Sequence, residues 1–255
     1  MESINTDLAN ISEISRLHKL VLNGAKSKLL VFGSANLNDF NIKVDGSTLT
    51  PSTCERNLGI FLDKRLRFEE HVSSVLQRAY YKLKLLYMHK DILTTDVKLR
   101  LCESLVLSLV SYGDVLYWPA LTQREKNSLQ KLQNCCLRFC YNARKYDHVT
   151  PLFQASGWLK MNERFFLHFS TLVHKIVNTK TPEYLYNKLV INTDVHERQM
   201  RNKQLFIVPR HRTAKFQGSF SYNAVRVYNA LPVKVKSLSA VTGFRKSVKH
   251  FLLNK

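Results

Sequence analysis

Residues 57–71 read Asn-Leu-Gly-Ile-Phe-Leu-Asp-Lys-Arg-Leu-Arg-Phe-Glu-Glu-His, and the pattern of the chain changes within this stretch. Residues 57–63 are mostly apolar and rich in strand-forming types, which predicts a β-strand. Glu69 and Glu70 then place negative charge where the first turn of a helix favours it. The sequence therefore predicts a small sheet before this stretch and helices after it.

Upstream, the pattern predicts one helix and several short strands. Apolar residues at helical spacing predict a helix over 7–21, and residues 28–33 are predicted to form a strand. Over residues 42–49, Asp45-Gly46 lies between two alternating segments and supplies the positive φ angles of a type I′ hairpin turn. Residues 1–65 are therefore expected to form a first domain built on a small antiparallel sheet.

Downstream, periodic apolar residues predict a helical bundle over 66–146. Helices are expected over 69–87 and 95–112, and Thr122 with Glu125 forms the capping-box pattern that opens a third helix. The second helix is expected to be central. Its predicted apolar stripe consists of Val97, Leu101, Leu105, Leu109 and Tyr112, widened by Leu99, Val106 and Val110. The stripe predicted for the third helix consists of Leu129, Leu132, Cys136 and Phe139.

Residues 147–255 form a third region of mixed pattern, in which a helix is predicted over 163–177. The predicted fold class is α+β and mostly α, with a small antiparallel sheet, a helical bundle and a basic C-terminal region. From Arg198 onwards there are 13 Lys and Arg residues, no Asp or Glu, and aromatic residues between the cations. This pattern suits single-stranded nucleic acid, because cations follow the phosphates while rings stack on bases. A solvated basic face around an ordinary aromatic core is the alternative.

The charge of the whole chain favours the same kind of partner. There are 39 Lys and Arg residues against 19 Asp and Glu, which gives a net charge of +20 over 255 residues. Nucleic-acid phosphate is the commonest partner of such an excess, and an anionic membrane surface is the second. A basic protein without such a partner is a further possibility.

The sequence predicts an intracellular protein, cytoplasmic or nuclear. No stretch reaches the roughly 18 consecutive apolar residues of a membrane span, so no membrane partner is expected. The N-terminus lacks the basic and apolar regions of a signal peptide. The five cysteines are an odd number, which does not indicate a disulfide framework, and reduced buried thiols are expected.

Neither a catalytic centre nor a metal site is predicted. Two-metal phosphoryl transfer needs clustered carboxylates, and the chain contains no adjacent Asp pair. Cys135, Cys136, Cys140 and His148 are poor zinc ligands, because the first two are adjacent and face different sides of a helix. No cofactor is therefore expected for this chain.

Three segments resemble the reverse transcriptases of non-LTR retrotransposons, of the LINE and jockey-like type. Residues 22–33 resemble the palm segment called motif D, with Lys26-Ser27-Lys28 at its centre. Residues 57–71 resemble the block that contains the primer grip and leads into the thumb domain. The pattern Val-Pro-x-x-x-Thr at 208–213, with Ser219-Phe220-Ser221-Tyr222 and Tyr228-Asn229-Ala230-Leu231-Pro232, resembles the C-terminal region, where Tyr228 replaces the usual Trp.

The resemblance implies an RNA-directed DNA polymerase relative whose partner is RNA or an RNA/DNA duplex. It covers nearly the whole chain, but the metal-binding aspartates of the family would lie upstream of Ile14 and are not in this sequence. The chain alone is therefore expected to be inactive, and Mg²⁺ is expected only in a full-length relative. Residues 1–65 would be the end of the palm, residues 66–146 a thumb and residues 147–255 a C-terminal region.

By the same resemblance, Lys26 would approach the leaving pyrophosphate and Gly59 would let the backbone approach the primer end. Together with the charge pattern it predicts nucleic-acid binding by Arg78, Lys82, Lys84, Arg210, Arg212 and Lys215. Two alternatives remain at the level of sequence. One is a domesticated nucleic-acid-binding protein without enzymatic activity, and the other is a non-functional remnant of a retrotransposon.

Overall fold

The computed structural model describes residues 2–33, 41–191 and 205–254. Two compact units make up the chain, Met1–His71 and Val72–Lys255. Most described residues are helical and every sheet among them has only two strands, so the fold is α+β and mostly α, as predicted. The domain boundary predicted at residue 65 stays a prediction, as does the division of the remainder at residue 146.

The described residues of the first unit form the helix α1 (Glu2–Leu17) and three separate strand pairs rather than the single antiparallel sheet that was predicted. Two pairs are antiparallel and the third is parallel. The strands are β1 (Leu29–Leu30) with β4 (Pro51–Ser52) in parallel, β2 (Lys43–Val44) with β3 (Ser47–Thr48), and β5 (Cys54–Asn57) with β6 (Ile60–Asp63).

Two hairpin turns set the register of the antiparallel pairs. Asp45 and Gly46 have φ of 48° and 79°, which confirms the predicted turn. Leu58 and Gly59 have φ of 47° and 86°, and Asn57 pairs with Ile60 across them. The prediction of one strand over 57–63 was therefore wrong, because the chain reverses at its second and third residues.

A small apolar cluster and a few polar contacts hold the first unit together. Its buried residues are Ile42, Val44 and Leu49, against which Leu8, Leu22 and Leu29 pack. The Asn5 side chain accepts a hydrogen bond from the Lys43 N–H (3.1 Å) and donates one to the Asn41 carbonyl (3.1 Å). These two bonds tie α1 to the start of β2.

The Asp63 carboxylate organises the loop between β6 and the next helix. It accepts hydrogen bonds from the backbone N–H groups of Arg65 (2.9 Å), Arg67 (2.8 Å) and Phe68 (2.7 Å). Leu66 and Phe68 have positive φ, at 53° and 61°. The Asp63 carboxylate thus satisfies the backbone N–H groups of a tight loop within residues 57–71.

The second unit is helical. α2 (Glu69–Tyr87) leads into it. The helix buries Val72, Val75, Ala79 and Leu83, while Leu76 and Leu86 on the same apolar stripe are half-buried. The remaining helices are α3 (Thr95–Leu101), a π-helical segment (Cys102–Leu107), α4 (Ser108–Ser111), α5 (Asp114–Tyr117), α6 (Gln123–Cys140), α7 (Thr150–Ser156), α8 (Met161–Thr179), α9 (Glu183–Tyr186), α10 (Phe220–Asn229), α11 (Val233–Lys236) and α12 (Val241–Leu253).

The helical segment over 95–111 buries only part of the face that was predicted, including Val106 and Val110. Leu105 and Tyr112 are 40% and 57% exposed, whereas Lys98, Cys102, Val106 and Val110 are buried. The buried Lys98 Nζ donates a hydrogen bond to the Asn142 side-chain oxygen (2.8 Å) and lies 5.4 Å from the centre of the Phe139 ring. Because Lys98 is charged, the apolar pattern of the sequence did not indicate that this position is buried.

Helix α8 is the packing centre of the second unit, a role that was predicted for residues 95–112. It packs against α5, α6, α9, α10 and α12. In α6, the stripe of Leu129, Leu132, Cys136 and Phe139 is buried as predicted. The predicted capping box is also confirmed, since the Thr122 N–H donates to the Glu125 carboxylate (2.7 Å) and the Glu125 N–H to the Thr122 hydroxyl (3.4 Å).

Candidate nucleic-acid interface

The segment that leads into α10 consists of residues 205–218 and is called the basic segment here. It contains irregular backbone and one 3₁₀ turn (Ala214–Gly218). Its beginning is fixed by Asn229, which accepts a hydrogen bond from the Phe206 N–H (3.0 Å) and donates one to the Phe206 carbonyl (2.8 Å). Its end is fixed by Ser219, whose hydroxyl accepts from the Tyr222 N–H (3.4 Å) at the start of α10. The segment is therefore a fixed loop with both ends anchored.

Three rings support the middle of this segment and are called the aromatic platform: His211, Phe216 and Tyr222. The His211 ring lies nearly parallel to Phe216, with centroids 6.2 Å apart, and edge-on to Tyr222 at 4.9 Å. Its Nε2 also lies 3.0 Å from the Gln217 amide nitrogen. The platform thus fixes the direction of the backbone on both sides of His211.

The predicted binding residues of this segment are all exposed. Arg210 and Arg212 flank His211, and Lys215 lies one residue before Phe216. Proline disfavours regular structure around Pro209, and residues 207–211 lack it, whereas Lys215 belongs to the 3₁₀ turn. The turn forms because the Thr213 hydroxyl accepts a hydrogen bond from the Phe216 N–H (3.4 Å).

A buried histidine lies behind the basic segment and joins α8 to α10 and α12. The His174 ring stacks on Phe244, with centroids 3.8 Å apart and planes 4° from parallel. Its Nδ1 lies 3.1 Å from the Tyr228 hydroxyl and its Nε2 3.0 Å from the Asn178 amide. Burial lowers the pKa of His174, against a smaller opposite effect of the Leu238 backbone, and burial raises the pKa of Tyr228 to about 12.

Among the described residues, the cations of this part of the chain are not neutralised by carboxylates. In every ion pair of the described ranges both residues lie before position 205. Two cations lie against rings instead, Arg226 at 5.5 Å from the Tyr222 centroid and Lys236 at 5.5 Å from Tyr228. Four of the 13 basic residues of the tail lie outside the described residues, namely Arg198, Arg201, Lys203 and Lys255.

The three cations predicted on α2 do not form one surface. Arg78 and Lys82 are four residues apart and share a side of the helix, whereas Lys84 points about 160° away from Lys82 at roughly 100° per residue. The Arg78 Nε donates a hydrogen bond to the Ser74 carbonyl (3.3 Å), so this side chain follows its own helix. Lys82 is half-buried.

The two candidate residues of the first unit have clear backbone roles. The Lys26 N–H donates a hydrogen bond to the Asn23 side-chain oxygen (3.0 Å), which closes a turn and leaves the Lys26 side chain exposed. Gly59 occupies the second position of the β5–β6 hairpin turn with φ of 86°. The contacts with pyrophosphate and primer that the resemblance implies for them stay predictions.

The cysteines are free thiols, and three of them are buried together. A hydrogen bond to Cys136 raises the pKa of Cys102, and a hydrogen bond to Cys102 raises that of Cys140. No group of three or more His, Cys, Asp or Glu side chains in the described ranges could hold a metal ion. Within those same ranges, no helix is both long enough and apolar enough to cross a membrane.

Two ion pairs that sequence reasoning missed join α8 to earlier helices. Arg164 pairs with Glu103, with Nη1 3.0 Å from the carboxylate and Nη2 also in contact. His168 Nδ1 lies 2.6 Å from the carboxylate of Asp114, which is buried. The two members of each pair are 61 and 54 residues apart in the chain, respectively. No local sequence pattern indicates pairs at such separations.

Comparison with known proteins finds one relative among transposon proteins. The chain is 27% identical over 132 residues to a probable RNA-directed DNA polymerase from transposon BS of Drosophila melanogaster. The match covers 51% of this chain and 14% of that relative. No model of a protein family and no solved structure matches the chain. The similarity supports a distant reverse transcriptase-like relationship.

Proposed function

We propose that the chain is the nucleic-acid-binding portion of a reverse transcriptase-like protein of a non-LTR retrotransposon and binds RNA or an RNA/DNA duplex. The relative is named an RNA-directed DNA polymerase, and the chain spans a small share of it. The observation that carries the proposal is the basic segment, in which Arg210, Arg212 and Lys215 are exposed beside the aromatic platform. No carboxylate occurs beyond Glu197 to compete for these cations.

The chemistry of this surface fits phosphate groups better than any base. Arginine and lysine on an anchored loop attract phosphate oxygens without selecting a sequence. The exposed His211 ring and the half-buried rings of Phe216 and Tyr222 next to them offer a surface on which bases stack. Binding is therefore expected to depend little on sequence and strongly on salt. In this proposal α2 is a secondary contact, whereas the resemblance to reverse transcriptases would place the duplex against this thumb-like helix.

Fluorescence anisotropy with labelled single-stranded RNA and an RNA/DNA duplex tests the proposal. If roughly six phosphates are neutralised, the logarithm of the binding constant should fall with the logarithm of the salt concentration at a slope near −4 to −5. A duplex of unrelated sequence is the control and should bind with similar affinity. A flat salt response, or binding confined to one short sequence, would contradict the proposal.

Primer extension tests the expected lack of polymerase activity. The chain contains no adjacent Asp pair, and two metal ions about 4 Å apart require clustered carboxylates. We expect no nucleotide incorporation on an RNA template with Mg²⁺ or Mn²⁺. Incorporation that persists after contaminating polymerases have been removed would show that the carboxylates are supplied in some other way.

A further inference from the structure

A cavity of about 560 Å³ lies within the second unit beside α8 and α12. This volume falls in the range of roughly 300–1,000 Å³ that is usual for small-molecule sites. Three cations on one side of α12 line the cavity, namely Arg245, Lys246 and Lys249. With them, the side chains that concern its chemistry are Trp158, Arg164 and His168.

Within the described part of the chain, the α12 cations have no carboxylate partner. Arg245, Lys246 and Lys249 are exposed and take part in none of the ion pairs among the described residues. Three like charges on one helical turn repel one another, which costs free energy unless an anion lies between them. The arrangement therefore favours an anion that carries more than one charge.

The carboxylates near the cavity are already engaged. Glu103 lines it from the π-helical segment but is held by Arg164 in a two-pronged pair. Asp114 is buried and in contact with Nδ1 of His168, which fixes the orientation of that ring. Nε2 is then the ring nitrogen that remains for a ligand. The Arg164–Glu103 and His168–Asp114 pairs thus hold the polar wall of the cavity in place. Neither carboxylate is left to neutralise the three α12 cations.

The rest of the wall is apolar. Trp158 is half-buried at the cavity, and Leu159 and Leu167, which also line it, are buried. An indole ring beside apolar side chains offers a surface for a nucleobase. A cavity with a cationic side and an aromatic side matches the two parts of a nucleotide.

We propose that this cavity, the α12 pocket, binds the terminal phosphomonoester of a nucleic-acid strand, with the end nucleotide against Trp158. A phosphomonoester carries about −1.5 to −2 charges near pH 7, against −1 for each internal phosphodiester, so the clustered cations favour a strand end. A concave site also receives the end of a strand more readily than its middle. The inference rests on the proposed function, because its ligand is a nucleic acid.

The test compares the full chain binding to one short single-stranded RNA with a 5′-phosphate, with a 3′-phosphate and with hydroxyl groups at both ends. We expect one phosphorylated form to bind about tenfold more tightly than the hydroxyl form, as charge-assisted contacts would give. The variant R245Q/K246Q/K249Q should reduce that ratio to about one. K175Q/K188Q/K234Q removes three exposed cations outside the pocket and should leave the ratio unchanged.

A second measurement covers the case in which the α12 variant does not fold. The chain has two tryptophans, and Trp118 is buried against Phe165, so a ligand in the pocket should quench Trp158. AMP should quench the fluorescence saturably and adenosine should not, and the AMP effect should vanish in Trp158→Phe. Tighter binding of the phosphorylated RNA than of AMP would identify a strand end rather than a free nucleotide as the better ligand.

The outcomes separate this inference from the proposed function. If wild-type chain binds all three RNAs equally well and AMP gives no quenching, the pocket assignment is wrong while nucleic-acid binding stands. If both triple variants lose the preference equally, it reflects total charge and the pocket assignment is again wrong. If no RNA binds at any salt concentration, both the inference and the proposed function fail.

Discussion

Helix α2 and the basic segment each carry three candidate cations, but they present them in different ways. On α2, Arg78 and Lys82 share one side while Lys84 lies on another, because a regular helix distributes successive residues around its axis. In the basic segment, Arg210, Arg212 and Lys215 lie within six residues of an anchored loop. Three cations are therefore exposed on one anchored loop in the basic segment, whereas the same number on α2 is divided between two sides of a helix.

The supports of the two regions differ as well. The aromatic platform and the two hydrogen bonds between Asn229 and Phe206 fix the loop, so its cations lose little freedom when they bind. On α2, the Arg78 side chain is already bonded to its own helix. The local backbone, more than the number of cations, therefore decides which region can bind along a nucleic-acid backbone.

The largest effect is expected from the basic segment. The variant R210Q/R212Q/K215Q should weaken binding to single-stranded RNA by up to about 100-fold at 0.1 M salt and lower the salt slope by about two. These values follow if all three cations contact phosphates, at roughly 0.7 units of slope each for a single strand. Anisotropy titrations at two or more salt concentrations measure both quantities, with circular dichroism to verify the fold.

A smaller effect is expected from α2, and it is the matched control. The variant R78Q/K82Q/K84Q removes the same charge, but at most two of its residues can face one strand, so the loss should be less than about tenfold. The resemblance to reverse transcriptases predicts the opposite order, because it places the duplex against the thumb. If the α2 variant binds more weakly than the basic-segment variant, the charge of the segment is only a solvated face.

The contribution of the aromatic platform should be smaller again. His211→Ala removes the ring that orients Arg210 and Arg212, and we expect a loss of about threefold through lower preorganisation. The salt slope at pH 8 should not change, because no phosphate contact is removed. His148→Ala changes an exposed histidine elsewhere in the second unit and should have no effect. A changed slope in His211→Ala would indicate that the histidine itself contacts phosphate.

The smallest expected effect is a pH dependence of stability on the side of the molecule that carries the basic segment. Because burial lowers the pKa of His174 in the folded state, the unfolded chain binds a proton first as the pH falls. The stabilising contribution is fully present above the unfolded pKa of about 6.5 and declines as the pH falls from there towards the folded pKa.

Urea unfolding between pH 7.5 and pH 5 measures this dependence. His174→Phe removes the titrating group, so its free energy of unfolding should change less with pH than that of the wild type, whatever its absolute stability. Hydrogen exchange should show α10 and α12 losing protection at acidic pH before α2 does, since His174 contacts Tyr228 and Phe244. An equal loss of protection in α2 would mean that acidic pH destabilises the second unit as a whole and not only around His174.

Local sequence signals predicted the elements that depend on local chemistry. The Thr122–Glu125 capping box and the Asp45-Gly46 turn were confirmed, because caps and tight turns are decided within four residues. The stripe of α6 was confirmed because its buried residues are apolar. The turn at Leu58-Gly59 was missed, since leucine rarely adopts positive φ and the apolar run hid the reversal.

The sequence by itself determined the mostly helical class, the basic and acid-free tail and the similarity to transposon polymerases. These follow from composition, periodicity and motif spacing, which are properties of the chain in one dimension. Only the tertiary structure decided that Lys98 is buried, that Lys84 is separated from Lys82, and that α12 and α8 form a pocket. Those features depend on contacts between residues tens of positions apart, and their free energy is set by packing and desolvation at the place where the segments meet.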